Sequence, residues 1–532
     1  MTGLTTVGRL YLRRHRIFYL VWILVLASFL PLAALKYHDL VPAGQAGAAM
    51  LAGLAANPTM KAILGLPFDL STAGGFTFWR VGGFTAAATG IMAGLGVVRA
   101  TRAEEEDGRL ELIRSAAVDR HTPLAAALGL SMAACLVLGG VIAASMIGAG
   151  TPAAGSVAGG LGIALTGTMI AALAGVAAQV FESARTARAV TMGILGGLYL
   201  VRGLIDASGE PGLVRWGWAM PMDWAAYARP YAGERWWVLT LPLALTAILT
   251  WLAFALESRR DLGSAIIGKR PGPATAAPGL SGAWGLALRL HRSGLIGWGL
   301  GISLSCLFMG SLSLTVDRIY QNQPSVAKLL QELGSGSSEL VIAFQTAMLG
   351  IMTTVISLAG VSMIARLRGE ETEGRAEAML ATATSRPRLL ASHLLPALAL
   401  TGLLLPIAGV LLPLWQAVDD GSARLPWQLL GAAAAFLPGM LLVIGLATAL
   451  LGLWPRGLWI AWALVGWTAL TTWLLPLADA PGWLIRLQPW GHLPHLPTDP
   501  MNWTPVLAET AIGAGLLAVG LIGYRRRDVA GR

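Results

Sequence analysis

The chain has 532 residues, 55% hydrophobic and 12% charged, with a formal net charge of +10. Soluble domains carry about 25% charged residues, so a soluble globular protein is excluded, and the composition is that of a polytopic membrane protein. Anionic lipid accounts for the positive balance, and nucleic acid need not be invoked.

Apolar runs near the roughly 20 residues needed to cross a bilayer fall at about 17–35, 81–99, 124–149, 157–181, 187–205 and 238–256. Six more fall at about 294–314, 341–364, 389–413, 427–452, 456–477 and 506–524. The expected architecture is all-α, with about 12 transmembrane helices. The first run is too long for the apolar core of a signal peptide, about 7–15 residues, and is read as a retained span. Cys135 and Cys306 both lie in predicted spans, which supports neither a disulfide framework nor a thiolate metal site. Within the 66 Gly and abundant Ala there is ample material for close helix packing.

Most of the 38 Lys and Arg residues fall on one set of loops: the N-terminus, 99–120, 185–188, 259–292, 366–388, 456 and the C-terminal tail. The positive-inside rule then places both termini in the cytoplasm. Ahead of each half's first span, Arg9, Arg13 and Arg16, and later Arg289 and Arg292, suggest short amphipathic segments in the headgroup region.

The loop between the second and third spans reads Glu105-Glu106-Asp107-Gly108-Arg109-Leu110-Glu111, and it recurs as Glu371-Thr372-Glu373-Gly374-Arg375-Ala376-Glu377. Arg102 and Arg120 flank the first copy as Arg368 and Arg386 flank the second, at a constant offset of 266. Leu12 to Arg16 resembles Leu288 to Arg292, and Arg259-Arg260-Asp261 resembles Arg526-Arg527-Asp528. The anchors keep one order, which predicts two parallel six-span repeats: 1–256, a linker at 257–292, and 293–532. Within each loop Glu105 with Arg109, and Glu371 with Arg375, have the i, i+4 spacing of a helical ion pair.

A loop of the form E-x-x-G-x-L-E followed by an Arg-containing apolar segment, at this place in a six-span unit, resembles the membrane subunits of ABC-2 type transporters. The fused twelve-span form is similar to permeases of actinobacterial antibiotic and multidrug exporters. The resemblance implies that the loop carries a coupling helix docking on a cytoplasmic ATPase, through Glu105, Glu106, Gly108, Arg109, Leu110, Glu111 and Arg120, and through Glu371, Glu373, Gly374, Arg375, Glu377 and Arg386. It further implies a separate ATPase subunit, in two copies, that binds ATP and Mg, so that this chain binds no cofactor and is not itself an enzyme. The expected function is export of hydrophobic or amphipathic, drug-like compounds across the cell membrane.

Gly263 to Lys269 spells G-x-x-x-x-G-K, but Arg270 stands where a P-loop needs Ser or Thr, and no strand–helix context surrounds it. The predicted spans hold very few ionisable residues, with Glu182 and Glu509 near ends, so a pathway of apolar and small side chains is expected. Met169, Met192, Phe344, Met348 and Met352 are candidate contacts. Trp216, Trp218, Trp224, Trp236, Trp237, Trp483, Trp490 and Trp503 are read as an interfacial belt. His492, His495 and Asp499 lack a fourth ligand for a zinc site. The alternatives are an ion-gradient-driven carrier of the major facilitator type, which lacks its signature loop here, and a membrane-embedded transferase, which lacks convergent polar groups.

Overall fold

The structure is a computed structural model and describes residues 2–528 apart from 57, 210, 269–273, 276, 281, 323–336, 474–481, 486, 495, 498 and 499. His495, Asp499, Lys269 and Arg270 therefore lie outside the described residues. The chain divides into two compact units, Met1–Gly272 and Pro273–Arg532. Among the described residues there is no strand, only an isolated bridge between Phe181 and Ile267.

In the first unit the long helices are α1 (Leu4–Leu35), α2 (Ala73–Glu106), α4 (Thr122–Gly148), α5 (Ala153–Val180), α6 (Ala184–Ser208) and α7 (Trp236–Glu257). A two-turn helix, α3 (Arg109–Arg114), sits in the loop between α2 and α4. In the second unit α8 (Ala283–Asn322) and α9 (Ser337–Thr372) lead to the short α10 (Arg375–Leu380). They are followed by α11 (Arg386–Leu411), α12 (Arg424–Leu453), α13 (Trp459–Trp473) and α14 (Trp503–Arg526).

Among the described residues, eleven helices are long and apolar enough to cross a membrane. The span expected at 456–477 is α13, apolar but only 15 residues long where described. The all-helical membrane architecture is thus as expected, with eleven demonstrable spans where twelve were predicted. The amphipathic segments ahead of each half are not separate helices. They are the first turns of α1 and α8, continuous with the span because no Gly or Pro interrupts residues 9–17 or 286–293.

With no water in the bilayer to drive apolar association, helices meet through small residues. The centre of the first unit is α5, buried along most of its length from Gly155 to Gln179. A Cβ at Gly139 of α4 would lie 2.4 Å from the Gly160 carbonyl oxygen of α5, and one at Gly160 would lie 2.3 Å from that of Gly139. The second unit repeats the device between α12 and α14, where a Cβ at Gly452 would come within 2.2 Å of the Gly520 carbonyl oxygen. Only hydrogen fits at these crossings.

Candidate functional site: two latched loops

Each acidic loop is a helix end, a one-residue reversal and a new helix. Asp107 and Gly108 close α2, and Gly108 takes the left-handed conformation (φ 70°) before α3 begins at Arg109. Gly374 does the same (φ 73°) before α10. A non-glycine residue pays about 1 kcal/mol or more in that region, which explains why both copies have Gly there.

This reversal overturns the expected i, i+4 pairs. Glu105 and Arg109 are on different helices, so the helical register between them is lost. Arg109 turns instead to Glu104, donating from Nε at 2.8 Å and Nη2 at 3.1 Å, and to Asp107. Arg375 likewise donates to Glu370 at 2.5 and 3.1 Å and pairs with Glu373. These carboxylates raise both guanidinium pKa values, chiefly through the hydrogen bonds that Glu104 and Glu370 accept. Glu104 is also reached by Arg14 of α1 at 2.7 Å.

Glu105 points inward, its side chain 5% exposed. Arg260, just past α7, donates from Nη1 at 2.7 Å and Nη2 at 2.8 Å to its two oxygens. Arg102 donates to it at 2.8 Å and the Gly263 amide at 2.7 Å. The same arrangement recurs at Glu371, fully buried, which accepts from Arg527 at 2.5 Å and from Arg368 at 3.0 Å. Arg120 and Arg386 finish each latch by capping carbonyls at the end of the unit's last span. Arg120 donates to Glu257 O at 2.8 Å and Arg260 O at 2.6 Å, and Arg386 to Arg527 O at 2.8 Å. Cations at a helix C-terminus are favourably placed against its dipole.

The outward face differs. Glu106, Glu111, Glu373 and Glu377 are exposed. Among the described residues, neither Glu111 nor Glu377 has a side-chain partner. Leu110 is buried, whereas Leu112 is 74% exposed; Ala376 and Ala378 take their places in the second copy.

The expected pathway residues differ in burial. Met169 and Met352 lie in the cores of their units, and Met348 packs against the second. Met192 lies against Gly94 of α2, and Phe344 is half-buried on α9. Trp490 is buried rather than interfacial, but Trp216, Trp236, Trp237, Trp483 and Trp503 are exposed.

Two features escaped the sequence reading. Arg260 and Arg527 were seen only as repeat anchors, although an Arg recurring at nearly the same offset as a Glu is itself a hint of pairing. The second is a buried cluster near the end of α6. Arg202 Nε lies 3.7 Å from carboxylate oxygens of both Asp206 and Asp223, and its Nη2 donates to Ile63 O at 2.9 Å. The low count of ionisable residues in spans was therefore too low, and the i, i+4 spacing of Arg202 and Asp206 was the available signal. Burial first, then the Asp206 charge, push Asp223 up to about 8.

Residues 280–525 match the family model described as the C-terminal domain of the multidrug efflux system permease Rv1217c. Across nearly its whole length the chain is similar to the multidrug efflux system permease protein Rv1217c of Mycobacterium tuberculosis (strain ATCC 25618 / H37Rv), with 39% identity over 535 aligned positions covering 99% of this chain and 95% of that protein. Membrane-spanning architecture, duplicated loop and full-length similarity agree, and the chain belongs to the family of multidrug efflux system permeases.

Proposed function

We propose that the chain is the membrane subunit of an ATP-driven exporter, moving hydrophobic or amphipathic, drug-like compounds outward while a separate ATPase, in two copies, binds ATP and Mg and hydrolyses the nucleotide. The duplicated acidic loops are its docking points, both termini lie in the cytoplasm, and the two halves are parallel repeats. The observation that carries this reading is that each loop is latched inside its own unit to the last span, yet at one matched position turns outward a carboxylate with no side-chain partner among the described residues, Glu111 in α3 and Glu377 in α10.

The buried residues and the exposed ones divide the work. Glu105 with Arg260, and Glu371 with Arg527, tie the loop to the end of α7 or α14, so a push on the loop is passed to a membrane helix rather than absorbed by a flexible turn. Glu111, Glu106 and Leu112 in the first copy, and Glu377 and Glu373 in the second, are the surface offered to a basic, partly apolar groove on the ATPase. The first copy offers the larger apolar contact and is the stronger dock.

Purification of the tagged chain in mild detergent tests this directly. A co-purifying subunit with a P-loop, at two copies per chain, whose ATPase activity falls on Glu111→Lys and Glu377→Lys, is the expected result. Transport of a hydrophobic dye by the chain alone, driven by an ion gradient without ATP, refutes it.

A further inference from the structure

The two loops pack differently against the first helix of their unit. In the first unit the space between α1 and the loop is filled: Tyr11, 1% exposed, packs with Val7, Ala126 and Ala127, and with Ile113 against them. At the repeat offsets, Val7 becomes Ala283, Tyr11 becomes Ala287, Leu110 becomes Ala376 and Leu112 becomes Ala378. Two of the groups that fill this space in the first unit, Val7 and Tyr11, are thus replaced by methyl groups, as is the buried Leu110 of the loop, and all three replacements border one place. The result is a cavity of about 290 Å³ between α8, α10 and α11, lined by Ala283, Ala287, Ala376 and Met379 among others.

Apolar cavities of this size lie at the lower edge of ligand pockets, which combine an apolar lining with a few convergent polar groups. Here those groups are His393 and the Glu370–Arg375 ion pair. His393 occupies the position of Ala127 in the first unit and is 3% exposed. Its Nδ1 lies 2.9 Å from His291 Nε2, and no other group among the described residues hydrogen-bonds to its ring. Its Nε2 is the open position. Whichever imidazole supplies the proton between the two rings, His393 Nε2 is left as either acceptor or donor. A hydroxyl satisfies both cases.

We propose that this cavity is a binding site for a compact apolar molecule carrying a hydroxyl or phenol, seated against Ala287 and Ala376 with its oxygen on His393. The site lies within the second unit and shares α10 with the proposed dock, but it is read on the purified chain without an ATPase, so its failure and that of the docking reading are distinguishable.

Photolabelling of the full-length purified chain with a diazirine-bearing 2,6-dialkylphenol tests the proposal. Adducts are expected on peptides containing residues 286–290 or 376–379. Ala287→Tyr, which restores the side chain of the first unit, removes them while labelling elsewhere persists. Should Ala287→Tyr fail to fold, Ala376→Leu closes the same space with a side chain the other copy already accommodates. His393→Phe keeps the shape but loses the hydrogen bond, weakening labelling by about tenfold. No adduct on either peptide, or undiminished adducts in a folded Ala287→Tyr or Ala376→Leu chain, overturns the proposal. Within a positive result, competition by dioleoylglycerol assigns the site to membrane lipid, and competition only by a phenolic drug assigns it to cargo.

Discussion

Glu105→Gln separates an internal latch from a surface contact. The carboxylate accepts four hydrogen bonds, three of them from guanidinium groups and one from the Gly263 amide. Arg102 and Arg260 are themselves 1% and 7% exposed at their side chains. Glutamine keeps one acceptor oxygen and turns an NH2 towards a guanidinium, so two buried cations lose their counter-charge. Removing one partner of a buried pair costs about 3–5 kcal/mol, and the lower end applies because Arg102 and Arg260 keep carbonyl partners at Glu182 and Ser264. At about 2 °C per kcal/mol for a unit of this size, the Tm of the purified chain should fall by about 6 °C or more. Glu111→Gln, on an exposed side chain without partners among the described residues, should leave the Tm within about 1 °C, since such surface changes stay within ~0.5 kcal/mol. Thermal unfolding followed by tryptophan fluorescence in one detergent measures both. An unchanged Tm for Glu105→Gln, or equal losses for the two variants, refutes the assignment of Glu105 to the interior.

Leu112→Glu should lower stimulation of the ATPase, by less than Glu111→Lys does and without moving the Tm, and Ala378→Glu should lower it less again, measured as hydrolysis in reconstituted membranes. Burial, then the Asp206 charge, push Asp223 up from an ordinary 3.8 to about 8, and burial raises Asp206 as well, so between about pH 4 and pH 8 the folded pair holds protons that the unfolded chain has lost. Stability therefore declines as pH rises through that window and levels off above it; Asp223→Asn should flatten the decline in a Tm series from pH 5 to 9. Gly139→Val forces α4 from α5 and Gly452→Val forces α12 from α14, because the nearest atoms are backbone. Each should cost more than the about 1–3 kcal/mol of ordinary overpacking and show as aggregation on size exclusion.

The spans were legible because the bilayer imposes a length and an apolar composition on each segment by itself. The loops were legible as duplicated text, but their pairing was not. Glu105 meets Arg260 across 155 residues, and Glu371 meets Arg527 across 156, distances over which local spacing carries no information. Where local spacing was used, it misled. The i, i+4 rule presumes one continuous helix, and Gly108 and Gly374 end it between the two members of each expected pair. The cavity beside α10 was equally hidden, since an alanine in a membrane protein reads as packing until its counterpart in the other half is known to be Tyr11.

Comparing the two copies residue by residue also sorts latch from dock. Arg102, Glu104, Glu105, Gly108, Arg109 and Arg120 all recur unchanged, and each has a partner or a backbone conformation within its own unit that explains it. The outward positions mostly drift: Glu106 becomes Thr372 and Leu112 becomes Ala378. Glu111 and Glu377 are the exception, identical in both copies, exposed, and without a side-chain partner among the described residues. Internal stability gives no reason to keep a carboxylate there, since an exposed charge contributes little to folding. A shared external contact does give one. Glu111→Lys and Glu377→Lys should therefore weaken association with the ATPase more than any other single changes on the loops, with the largest effect at low ionic strength, where charge pairing across an interface is least screened. Equal association of wild-type and doubly substituted chains at low salt would leave the matched acids without a purpose and sink the docking assignment.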